Sequence, residues 1–88
     1  MTDTPTRATT YSRVASLIFE LAQAKTVVEL AFYADTSEEV VEKYIEAFKE
    51  KHLVFIADWQ WRPKKRRYIP KYALDLTGRR KDIPPPKV

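Results

Sequence analysis

Apolar residues recur at helical spacing through the first half of the chain and at alternate positions through the second. Val14, Leu17, Ile18 and Leu21 fall on one face of a helical repeat. They predict a first helix that starts at Thr10 or Ser12, either able to cap, and fades near Ala24. In "KTVVELAFYAD", Thr26 is an N-cap and Glu29 its capping-box partner, giving a short second helix with Val27, Leu30 and Ala31 inward. "ADTS" interrupts the pattern, and "TSEEVVEKYIEAFKEKHL" resumes it. Here Thr36 with Glu39 reads as another capping box, Glu38 and Glu39 suit the positive helix end, and Val41, Tyr44, Ile45 and Phe48 form the apolar stripe. His52 stands where a glycine often closes a helix, and histidine tolerates a positive φ better than most residues.

After His52 the period changes to two. "LVFIADWQW" and "YIPKYAL" are rich in β-branched and aromatic residues and flank the polar turn "RPKKRR". Leu53, Phe55 and Ala57 are expected on one face, with Tyr72 and Leu74 opposite them. Pro70 cannot donate to a ladder and belongs on an edge or at a bulge. Alternation puts Trp59 and Trp61 on the face of Phe55. Packing across the strands against Tyr68 or Tyr72 is one role for them; stacking on exposed bases and contact with a second copy are the others.

The order helix, helix, helix, hairpin defines an α+β fold, a helix-turn-helix followed by a two-stranded wing. Residues 1–9 read as a flexible N-terminal arm, 10–76 as the domain, and 77–88 as a basic, proline-rich tail.

Composition narrows the chemistry. The 88 residues contain no cysteine and one histidine, which excludes a disulfide framework, a thiolate metal site and a histidine-based zinc site. No cofactor is implied. The longest apolar runs are a few residues, and the N-terminus lacks the apolar core of a signal peptide, so a cytoplasmic protein without membrane contact is expected. There is no glycine-rich phosphate loop, and the serines and threonines sit at caps, so catalysis is not expected.

The formal net charge of +4 hides an asymmetry. Residues 1–58 carry six Lys/Arg against ten Asp/Glu, whereas residues 59–88 carry ten against two. A basic half of this density points to a polyanion, most often nucleic acid.

"TVVELAFYADTSEEVVEKYIEAFKEKHLVFIADW" with the later "YALDL" resembles the winged helix-turn-helix regulators of bacteria and their phages. The resemblance spans residues 14–76 and rests on core and capping positions. It implies a small transcription regulator that binds double-stranded DNA, with a homodimer on a palindromic site as the way to gain affinity. The candidate contacts are Arg62, Lys64, Lys65, Arg66 and Arg67 at the wing tip, Lys71 and Gln60 on its strands, and Ser37 and Lys43 on the third helix. Arg79, Arg80 and Lys81 in the tail add positive charge.

The third helix departs from that pattern. Its exposed positions are Ser37, Glu38, Glu39, Glu42, Lys43 and Glu46, and four carboxylates facing a duplex would meet phosphate repulsion. The alternative is a protein–protein interaction module of the same fold, in which the acidic helix and the aromatic wing dock a protein partner.

Overall fold

The computed structural model describes residues 6–87, with side chains from Ser12 onward. Three helices, α1 (Thr6–Glu20), α2 (Val27–Ala34) and α3 (Glu38–Glu50), precede an antiparallel hairpin of β1 (Val54–Arg62) and β2 (Arg67–Leu74). This is the winged-helix layout that the sequence pattern predicts. No described helix is long and apolar enough to cross a membrane.

The first helix begins at Thr6, ahead of the caps expected at Thr10 or Ser12. In the sequence Pro5 comes just before it, a residue type common at helix starts. Residues 1–5 of the expected arm lie outside the described residues. The helix ends at Glu20, before Ala24, because the chain is drawn off to the sheet. Ala22 N–H closes on Phe19 at 3.2 Å in a tightened turn, and Lys25 then exchanges two backbone hydrogen bonds with Tyr72, of 2.9 and 2.7 Å.

The second helix opens as the residues dictate. Thr26 Oγ1 accepts from Glu29 N–H at 3.2 Å, and Thr26 N–H donates to the Glu29 carboxylate at 2.9 Å. It closes on Asp35, which adopts φ 55°. Thr36 N–H donates to Ala31 at 3.0 Å and so still belongs to the exit of α2. The cap of α3 therefore passes from the expected Thr36 to Ser37, whose extended backbone lets Oγ accept from Val40 N–H at 3.2 Å. At the far end His52 does take a left-handed conformation, φ 59°.

Leu17, Leu21, Leu30 and Val41 are fully enclosed, and Ala31, Ile45 and Val54 complete the core. Tyr44, Phe48, Tyr72 and Leu74 pack against it from the rim.

The hairpin differs from its expected facing. Leu53 is 45% exposed, and Val54 is the core residue, paired with Leu74. Leu53 N–H still closes on Phe48 at 2.9 Å, so the strand begins one residue later, and a one-residue slip reverses every side chain. A bulge between Ile56 and Asp58 reverses the phase again. Phe55 consequently opposes Ala73, whereas Trp59 opposes Pro70 and Trp61 opposes Tyr68, so the tryptophans do not share the face of Phe55. Trp61 and Tyr68 meet edge to face at 5.1 Å, the cross-strand packing the sequence suggests. Tyr72 turns both backbone groups outward to Lys25; Pro70, two positions earlier, presents its backbone to the same outer edge and β1 loses no ladder bond.

The tail is not free along its whole length. Asp75, only 4% exposed, accepts from Thr77 Oγ1 at 2.7 Å and from the N–H groups of Thr77, Gly78 and Arg80 at 3.1, 3.0 and 2.8 Å. Burial alone would raise the carboxyl's pKa, but the Thr77 hydroxyl and the three N–H donors outweigh it and hold the pKa below its ordinary value. Beyond this turn Asp82 Oδ1 accepts from Ile56 N–H at 2.7 Å, and Ile83 N–H donates to Ile56 at 2.9 Å. Trp59 Nε1 donates to the Ile83 carbonyl at 2.7 Å, and the Arg80 guanidinium lies 5.4 Å over the Phe55 ring. The segment thus covers the outer edge of β1 and hides Phe55.

Candidate nucleic-acid interface

The turn that joins β1 to β2 is held by Lys65 N–H on the Arg62 carbonyl, 3.1 Å, and by Arg66 N–H on that of Pro63, 3.3 Å. Arg66 completes it in the left-handed region at φ 51°, a place that glycine or asparagine fills with less strain. The same turn brings Arg62 and Arg67 directly opposite each other at the neck. Lys64, Lys65, Arg66 and Arg67 are exposed, and Arg62 is half-buried.

Among the described residues the ion pairs are Lys25–Glu20 and Lys49–Asp82, each at 3.4 Å. Among the described residues no carboxylate comes within ion-pair distance of the five cationic side chains from Arg62 to Arg67. At the exposed tip that charge is screened mainly by solvent and counterions.

The other predicted contacts are placed apart from this group. Gln60 is half-buried on β1 opposite Ile69, and Lys71 is half-buried on β2 opposite Asp58, whose carboxylate accepts Trp59 N–H at 2.8 Å. Ser37 is exposed at the start of α3 with its Oγ engaged as a cap acceptor, and Lys43 is exposed on that helix. Of the basic tail, Arg79, Arg80 and Lys81 are all exposed; Arg80 gives its backbone N–H to Asp75 and lays its guanidinium over Phe55.

Sequence reasoning missed a cleft. Between α3 and the hairpin lies a space of about 400 Å³ with Glu38, Glu42 and Glu46 on the helix side and Lys65 and Arg67 on the hairpin side. Its floor is apolar, from Val27, Val28, Ile45, Ile69 and Pro70, with Tyr72 below Lys49. Burial, and then the carboxylates of Asp82 and Glu42, push the Tyr72 phenol above its ordinary pKa. The spacing of the three glutamates, each four residues from the next, was the available signal. Which cationic residues would face them depended on the hairpin's twist.

No family model, curated protein or solved structure matches this chain.

Proposed function

We propose that this protein binds double-stranded DNA through the hairpin tip, in the manner of a small transcription regulator of phage or mobile-element type. The observation that carries the reading is the set of five cationic side chains at the hairpin tip, four of them exposed and Arg62 half-buried, with no ion-pair partner among the described residues. Two features of that turn disfavour the free protein, the opposed Arg62 and Arg67 and the left-handed Arg66. Phosphate oxygens between the guanidinium groups would turn the first from repulsion into paired contacts.

The acidic face of α3 sets the approach. Glu38, Glu42 and Glu46 would repel a duplex that entered the cleft, so the hairpin leads and α3 contributes at most through Ser37 and Lys43. Affinity then comes mainly from the backbone, with little choice of sequence by a single copy; a homodimer on a two-fold site supplies the rest.

The test is a titration of a short fluorescent duplex at two salt concentrations. With five phosphate contacts, raising monovalent salt fourfold weakens binding about 500-fold. Reversing charge with Arg66→Glu and Arg67→Glu abolishes the signal. Absence of binding at low salt refutes the reading. A second reading, a protein-docking module, is favoured by the cleft.

A further inference from the structure

We propose that the cleft between α3 and the hairpin binds an extended segment of a partner protein, with basic side chains at alternate positions and acidic or apolar ones between them. The inference does not depend on DNA binding by the tip.

The cleft is bipolar. Glu38, Glu42 and Glu46 form one wall, with Lys49 at its end paired to Asp82, and Lys65 and Arg67 form the other, with an apolar floor between. The walls do not close on each other, since among the described residues neither Lys65 nor Arg67 reaches a carboxylate at ion-pair distance. A duplex, negative throughout, fits only one wall. A uniformly basic chain fits only the other. The complement is a ligand that is positive on one side and negative or apolar on the opposite side.

Spacing selects the backbone of that ligand. Residues four apart on a helix are about 6 Å apart along its axis, so the three glutamates form a row about 12 Å long. Side chains on the same face of an extended strand repeat every ~6.6 Å. Three alternate basic residues of a strand therefore match the three carboxylates, whereas a small zwitterion would meet only one. The intervening side chains then point at the hairpin, where an apolar one meets Ile69 and Pro70 and an acidic one meets Lys65 or Arg67. Pro70 removes an N–H from the outer edge of β2, so recognition is by side chains rather than by an added strand.

The experiment uses the full chain and two end-capped fluorescent peptides of identical composition, Lys-Leu-Lys-Glu-Lys and Lys-Lys-Lys-Leu-Glu. The alternating peptide is expected to bind about tenfold more tightly than the blocked one. Glu42→Gln with Glu46→Gln should weaken the alternating peptide about tenfold, and Arg67→Glu severalfold, with thermal midpoints recorded for each. These glutamate changes leave duplex binding equal or tighter, so failure here is separable from failure of the DNA reading. Equal affinity for the two peptides, or for wild type and the glutamate variant, would overturn the proposal. So would sedimentation showing that the cleft is filled by a second copy, a dimer lost on Glu42→Lys.

Discussion

Arg62 and Arg67 stand directly opposite each other where the hairpin opens into its turn. Like charges so placed destabilise a hairpin by roughly 0.2–1 kcal/mol. Arg67→Glu converts the pair to an attractive one. It should raise stability by about 0.5 kcal/mol, seen in urea unfolding, while duplex affinity falls. A variant that lost both stability and affinity would show that the turn depends on Arg67 for its shape.

Arg66 gives a second opposition of the same kind. An ordinary residue in the left-handed region loses about 1–2 kcal/mol, and asparagine loses less. Arg66→Asn is expected to stabilise the protein by about 0.5–1 kcal/mol. Glycine should gain less, because its unfolded chain is more flexible. Both should weaken duplex binding and reduce its salt slope by about one contact's worth.

Asp82 fastens the tail through Ile56 N–H and Lys49. Asp82→Ala should cost about 1 kcal/mol or less, because the carboxylate is partly solvated. Hydrogen exchange would report it most directly, as lost protection at Ile56 and Ile83. Trp59 emission should shift to the red as its Nε1–H loses the Ile83 carbonyl. Unchanged exchange would mean that the Ile83 backbone bonds hold the tail without the side chain.

Asp75 makes the tail turn sensitive to acid. Its folded pKa lies below the ordinary value of 3.8, so its contribution to stability is present above that value. The contribution disappears as pH falls through the lower, folded pKa. Unfolding midpoints should therefore decline below about pH 4, and the decline should be smaller in Asp75→Asn, which starts less stable. An unchanged acid profile in that variant would assign the loss to other carboxylates.

Local rules accounted for what depends on near neighbours. The capping box at Thr26 and Glu29, the left-handed His52 and the helical stripe through Val41 and Ile45 each involve residues a few positions apart. Their partners are set by chain geometry alone, so the three-helix order and most of the core were readable. The hairpin tip was readable for a related reason, since a run of charged residues between two alternating segments has nowhere to go but out.

Strand facing and the tail were not readable in this way. Whether Leu53 or Val54 faces the core turned on one hydrogen bond at the exit of α3, and the bulge at Ala57 then reversed the faces of Trp59 and Trp61. A period of two carries no memory of its starting phase, and such slips arise from contacts between distant residues.

What the sequence determined by itself is the inventory and its order: three amphipathic helices, the third of them acidic, then a ribbon with a cationic turn. Only the folded chain decided which of those charges meet. It left the Arg62–Arg67 group without an ion pair among the described residues and set Glu42 across a cleft from Lys65 and Arg67. It also spent Asp82 on the edge of β1. Charge is a property of a residue, but its compensation depends on distances across the fold, which local spacing does not encode.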